Sequence, residues 1–284
     1  MTLHTERYIG YRGTQLSADV GGDPRLPAVI LLHGGGQTRY SWGRAARELV
    51  QTGYHVITLD LRGHGESDWA ADGDYSLNAF VADLGAVIAT LEHPPALVGA
   101  SLGGATALLS VGESVAPLAQ ALVLVDLVPR MATEGIRQIG EFMSGNLDGF
   151  ASVAEAADAV ARYLPHRPRP SSPDGLLKNL RLKEDGRFYW HWDPQFQLNK
   201  SRPQPEELFQ RLEHAAKQVT IPTLLVRGKQ SEMVTAEGVQ ALLKLIPHAE
   251  FVDVEGAGHM VAGDNNDAFN SVIERFLKST LQAA

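Results

Sequence analysis

Residues 98–104 read Val98-Gly99-Ala100-Ser101-Leu102-Gly103-Gly104, a serine set among glycines directly after the apolar run Ala96-Leu97-Val98. Glycine and serine are turn formers, so one reading is a surface turn. The other is a tight strand-to-helix elbow that holds a serine hydroxyl over the end of a sheet. In a chain of 284 residues with 28 glycines, Gly-x-Ser-x-Gly arises by chance often enough that its surroundings must decide. They favour the elbow. An apolar strand precedes Ser101, and Leu102-Gly103-Gly104-Ala105-Thr106-Ala107-Leu108-Leu109 opens a helix after it. Gly99 and Gly103 are what a close approach of strand and helix requires.

Outward from the elbow, short apolar runs recur. Glu6–Arg12 and Gln15–Val20 flank Gly13-Thr14 and predict a hairpin of two exposed strands. Pro27–Leu32, His55–Asp60, Pro95–Val98, Ala121–Asp126, Thr223–Arg227 and Glu250–Val254 are nearly continuous apolar runs, as expected of strands covered on both faces. Helical spacing occupies Ser41–Thr52, Leu77–Leu91, Leu102–Glu113, Thr235–Ile246 and Asp267–Leu281. Strand alternating with helix predicts an α/β fold, a doubly wound, mostly parallel sheet of eight strands.

One stretch breaks the alternation. From Pro129 to Lys217 no strand-like run stands out, and amphipathic pieces cover Thr133–Met143, Val153–Leu164, Asp174–Leu182 and Glu206–Lys217. Between them lie Pro165–Pro170 and the aromatic knot Phe188-Tyr189-Trp190-His191-Trp192-Asp193. The expectation is a core of residues 1–128 and 218–284, with a helical cap of 129–217 inserted after the sixth strand. A cap there covers the carboxyl ends of the strands, where open α/β sheets bind ligands.

The composition is that of a globular protein, 44% hydrophobic and 20% charged. A formal charge of -8 argues against nucleic acid or an anionic membrane as partner. The absence of cysteine excludes disulfides and thiolate chemistry, and fits a reducing compartment. No basic-then-apolar leader opens the chain, and no apolar stretch nears the roughly 20 residues of a membrane span. The expectation is a soluble, cytoplasmic protein with a small-molecule substrate and no metal or organic cofactor; its oligomeric state is left open.

A serine hydroxyl is a weak nucleophile until a base takes its proton. Of ten histidines, His259 in Gly256-Ala257-Gly258-His259-Met260 follows the last strand and has flexible neighbours, which is the place and order expected of that base. His33-Gly34-Gly35-Gly36-Gln37 follows the third strand. The N–H groups of Gly35 and Gly36, with that of Leu102 at a helix N-terminus, make a candidate oxyanion hole. A phosphate loop is the rival reading, but neither Gly-x-Gly-x-x-Gly nor Gly-Lys-Ser/Thr is present. His33 reads as a brace for the loop.

Five motifs, "LLHGGGQTRYSW", "DLRGHGESD", "VGASLGG", "LVLVD" and "GAGHM", fall in the order and places of the α/β-hydrolase fold. The chain resembles that family over its whole length. The resemblance implies a Ser–His–acid triad. Epoxide hydrolases and haloalkane dehalogenases of this fold carry Asp at the elbow, where this chain has Ser101. The acid follows the seventh strand in most of the family and ends the sixth in some subgroups. Here the usual position holds Ser231, with Glu232 one place later, whereas the sixth strand ends in Asp126. Asp126, at the end of an apolar run on the sheet edge that carries Ser101, is the expected acid, and Glu232 in the loop after the seventh strand is the alternative. Phe188, Tyr189, Trp190 and Trp192 are candidate pocket walls. The reaction implied is cleavage of an ester, lactone, amide or related acyl bond of a small, largely apolar molecule. The alternatives on the same fold are C–C hydrolysis, cofactor-free haloperoxidation or dioxygenation, and ligand binding without turnover.

Overall fold

The computed structural model describes residues 2–164, 172–198, 204–259 and 266–281. Pro165–Pro170 and Met260, both noted in the sequence, lie outside the described residues. The chain opens with strands β1 (His4–Ile9) and β2 (Gln15–Gly21), then β3 (Ala28–Leu32), helix α1 (Gly43–Gln51), β4 (His55–Leu59), α2 (Leu77–Ile88), β5 (Ala96–Ala100), α3 (Leu102–Gly112) and β6 (Ala121–Val125). After β6 come α4 (Thr133–Ser144), α5 (Val153–Tyr163), a 3-10 turn (Pro173–Asn179), β7 (Leu180–Leu182), β8 (Phe188–Trp190), α6 (Gln195–Leu198) and α7 (Pro205–Gln218). The chain then returns to β9 (Thr223–Gly228), α8 (Ala236–Leu245), β10 (Glu250–Val254) and a last helix α9 (Asn266–Leu281). Side-chain caps fix several helix starts: Ser76 receives the Ala79 N–H, Ser152 that of Glu155, and Thr235 that of Gly238.

Eight strands form one sheet in the order β1-β2-β4-β3-β5-β6-β9-β10. β2 runs antiparallel to β1 and to β4, and the remaining pairs are parallel. Side-chain alternation sorts the central strands onto two cores. Val29, Leu31, Val98, Val123 and Val226 face α1 and α9, while Ile30, Leu32, Leu97, Leu122 and Leu225 face α2, α3 and α8. The opening hairpin departs from expectation at β2, which is largely buried because it is sandwiched between β1 and β4.

The segment between β6 and β9 is not purely helical. Leu180–Leu182 pairs antiparallel with Phe188–Trp190, so the helix expected over Asp174–Leu182 is instead a 3-10 turn leading into a strand. The turn of this hairpin is closed by Asp185-Gly186, with Gly186 at φ +76° and the Lys183 N–H donating to the Arg187 carbonyl at 3.0 Å. Asp-Gly is a hairpin signal; the flanking runs of three residues are too short to show a period. Ala215 and Ala216 of α7 pack into the core beside α3. Among the described residues no helix is long and apolar enough to cross a membrane.

Candidate active site

The end of β5 carries the elbow. Ser101 has φ 46° and ψ -112°, a left-handed conformation that costs a non-glycine residue about 1–3 kcal/mol and persists only where its surroundings enforce it. They do so through packing too tight for a side chain on either flank. A Cβ on Gly99 would lie 2.4 Å from the Gly103 carbonyl oxygen, and one on Gly103 would lie 2.4 Å from that of Leu32.

Asp126 follows β6 in a second left-handed conformation, φ 48°, held by its N–H donating to the Val226 carbonyl at 2.7 Å. Its carboxylate is fully buried and accepts three hydrogen bonds: from the Gly228 N–H at 3.2 Å, the Ser231 hydroxyl at 2.5 Å and His259 Nδ1 at 2.6 Å. Nδ1 therefore carries the imidazole proton and Nε2 is left to accept one. Gly228 is needed for this approach, since a Cβ there would lie 2.0 Å from the Gly258 carbonyl oxygen. The structure thus brings Asp126 to His259. Glu232 is exposed. Ser231, at the position that holds the acid in most of the family, donates to Asp126 instead.

Ser101 and His259 line one cavity of about 560 Å³, together with Gly35, Gly36 and Leu102. Gly34 to Gln37 form a turn in which Gln37 N–H donates to the Gly34 carbonyl and Gln37 Oε1 accepts the Gly34 N–H, both at 3.1 Å. His33 is buried beneath it. Its Nε2 accepts the Leu61 N–H at 3.0 Å, so its proton sits on Nδ1 and is donated to the Gly34 carbonyl at 2.8 Å. Burial pushes the His33 pKa down to about 4. His33 is a brace, as its position in the sequence suggested.

The remaining walls are mostly apolar, with Ser41, Ser76, Asn179 and Gln197 among them. Met131, Ile136, Ile139, Phe142, Val160 and Tyr163 come from the segment after β6, with Leu208 and Leu212 of α7 and Met233 below them. Among the described residues the lining contains no Asp, Glu, Lys or Arg. Trp190 and Trp192 line it as expected, stacked with ring centroids 4.9 Å apart. Phe188 and Tyr189 do not, which corrects the expectation for both. Phe188 pairs through its backbone with Phe150, at the end of the hairpin strand away from the cavity. Tyr189 alternates to the other face, where its hydroxyl donates to Asp185 at 2.7 Å. Phe142, Met143 and Phe196 also line the cavity; nothing local marks them in the sequence, because only the fold of the inserted segment brings them in.

With this geometry in view, a family profile described as alpha/beta hydrolase fold matches residues 27–265. The chain belongs to the α/β-hydrolase family. It is an enzyme of that class. Among curated relatives, this hydrolase is 33% identical to the esterase Rv0045c of Mycobacterium tuberculosis over 88% of this chain and 83% of that protein. It is 30% identical to the sn-1-specific diacylglycerol lipase ABHD11 of Mus musculus over 90% of this chain and 82% of the relative. The crystal structure of the same mycobacterial esterase superposes with a TM-score of 0.78 at 28% identity, covering 98% of this chain and 92% of that one in one determination where the TM-score is 0.76, and 93% in the other. E-2-(acetamidomethylene)succinate hydrolase superposes with a TM-score of 0.85 at 23% identity over 98% of this chain and 100% of that one, a likeness of fold.

Proposed function

We propose that this α/β-hydrolase cleaves an ester, or a related acyl bond, of a small, uncharged and largely apolar molecule through an acyl-enzyme on Ser101. The observation that carries the reading is the 2.6 Å bond from His259 Nδ1 to the buried Asp126 carboxylate, which frees Nε2 in a cavity shared with the strained Ser101. In the proposed sequence the Ser101 hydroxyl attacks the carbonyl carbon while His259 Nε2 takes its proton. The N–H groups of Gly35 and Leu102, with that of Gly36 beside them, receive the negative charge that develops on the carbonyl oxygen. His259 returns the proton to the leaving group. It then activates water to release the acid. Asp126 holds the ring in the required tautomer and stabilises the imidazolium while it exists.

The ester preference is supported by the names of the mycobacterial esterase and the mouse diacylglycerol lipase. A largely apolar lining with no Lys or Arg among the described residues favours an uncharged acyl group, because a carboxylate taken from water into such walls meets no permanent opposite charge to offset its desolvation. The test pairs a fluorophosphonate with a series of p-nitrophenyl esters of increasing acyl length. Wild-type protein should label covalently and turn over a subset of the esters. Ser101→Ala should lose the label and lower kcat by several orders of magnitude. Turnover that consumes oxygen, or full activity in Ser101→Ala, would sink the reading.

A further inference from the structure

The loop that carries Gly35 has two carbonyl anchors, and only one belongs to the core. His33 holds the Gly34 carbonyl from below. The Gly36 carbonyl is met from the inserted segment, where His191 Nε2 lies 3.2 Å away. The direction of that bond follows from the other side of the ring. His191 Nδ1 accepts the Gly65 N–H at 2.7 Å, so the proton of the neutral ring sits on Nε2 and is donated to Gly36. Burial, followed by the neighbouring His64 and His33, drives the His191 pKa well below the ordinary value, which keeps this single-proton form in place.

His191 is itself held from several directions. Its N–H donates to the Asn179 carbonyl at 3.1 Å, and its own carbonyl accepts from Trp69 Nε1 at 3.3 Å. Two residues on, the Asp193 N–H donates to the Gly63 carbonyl at 2.9 Å and its carboxylate accepts from the Tyr75 hydroxyl at 2.5 Å. Arg181 of β7 donates to the Gly65 carbonyl at 2.6 Å. Apart from the Asn179 bond, which is internal to the inserted segment, these contacts fasten that segment to the loop after β4. From there the His191 imidazole goes on to the turn beside Ser101 with a hydrogen bond, where Met143 and Phe196 of the same segment make only apolar approaches to Gly35 and Gly36. Gly36 sits at φ +73°, so the peptide whose carbonyl His191 holds belongs to a turn with little steric restraint of its own.

We propose that His191 is a positioning residue for the oxyanion hole: its Nε2–H fixes the Gly36 carbonyl, whose peptide carries the Gln37 N–H that donates to the Gly34 carbonyl, and so sets the aim of the Gly35 N–H on that second peptide. The proposal rests on the Ser101 acyl-enzyme reading. It deepens that reading by making a residue outside the triad, and outside the cavity lining, a determinant of kcat.

The test compares side chains that reproduce one ring nitrogen at a time. In His191→Asn the amide oxygen can still take the Gly65 N–H, but the side chain is too short to reach Gly36. Removing an oxyanion donor outright costs about 10²–10³ in kcat, so misaiming one should cost on the order of ten- to a hundredfold, with KM within about twofold. A boronic acid that forms a tetrahedral adduct on Ser101 should lose affinity by the same factor, because it needs the same N–H groups. In His191→Gln the amide nitrogen reaches the place of Nε2, and kcat should return to within a few-fold of wild type. Arg181→Met, which cuts a bond between the same two segments without touching the turn, should lower Tm and leave kcat in place. Wild-type kcat in His191→Asn, equal losses in the Asn and Gln variants, or an Arg181→Met loss as large as that of Asn would each overturn the proposal. Independently of any variant, 15N shifts of the wild-type imidazole should show Nε2 protonated and Nδ1 bare; the opposite tautomer would overturn it. Labelling of wild-type Ser101 by the fluorophosphonate reports on the parent reading separately. Labelling with kcat insensitive to His191→Asn overturns this proposal alone, and no labelling overturns both.

Discussion

Replacing Asp126 by Asn changes one atom, and the site has no arrangement that tolerates the change. Three donors converge on the carboxylate: Gly228 N–H, the Ser231 hydroxyl and His259 Nδ1–H. Ser231 cannot turn away, because its oxygen already accepts the N–H groups of Met233 at 3.1 Å and Val234 at 3.2 Å. If the Asn amide nitrogen takes the place of Oδ2, it meets both the Ser231 hydroxyl proton and His259 Nδ1–H. The ring then gives up the tautomer that leaves Nε2 free. If the amide turns over, its nitrogen faces the Gly228 N–H, a buried donor left without an acceptor, at about 1–3 kcal/mol of stability. In either arrangement the negative charge that stabilises the imidazolium is gone. The expected loss in kcat is on the order of 10³–10⁴, equivalent to about 4–5.5 kcal/mol in the barrier. The assay is steady-state hydrolysis of one p-nitrophenyl ester by Asp126→Asn and by Glu232→Gln, with Tm measured on both. Glu232→Gln should lose less than about tenfold in kcat. The reverse ranking would refute the argument and move the acid to the loop after β9.

Two further outcomes are expected. The buried imidazoles should make stability depend on pH: burial lowers the pKa of His33 to about 4, and burial with the nearby His33 lowers that of His64 to about 3, against an ordinary 6.5. Between about pH 6.5 and 4 the unfolded chain therefore binds protons that the folded chain does not, and each imidazole should remove about 1.4 kcal/mol per pH unit as pH falls through that window. A Tm that stays flat from pH 7 to pH 5 would contradict this. Gly103→Ala should fail to yield folded protein, because the new Cβ would meet the Leu32 and His33 carbonyl oxygens at 2.4 Å and 2.7 Å; soluble variant with wild-type circular dichroism and Tm would show that the elbow yields.

The sequence by itself determined the frame and pointed to two residues of the candidate site. Continuous apolar runs are what a strand buried on both faces must have, so the parallel strands stood out, and the alternation with helices followed from them. Ser101 and His259 were legible because each is bound to a local pattern: glycines that permit an elbow, and a flexible stretch after the last strand. The acid was legible only as a preference for Asp126 over Glu232. Asp126 directly follows an apolar strand and Glu232 lies in the loop after β9, but no local pattern shows which carboxylate meets an imidazole 133 or 27 positions away. Only the tertiary structure decided it, by aligning β6 with β9 so that Gly228, Ser231 and His259 converge on Asp126. The same limit governed the inserted segment. Phe188, Tyr189, Trp190 and Trp192 form one aromatic cluster in sequence, yet a short hairpin sends Tyr189 away from the cavity and leaves Trp190 and Trp192 in its wall. His191 between them shows no periodicity and no motif. Its role rests on hydrogen bonds to Gly36 and Gly65, 155 and 126 residues away, and directional bonds at that separation are fixed by packing in three dimensions, where a local pattern carries no trace of them.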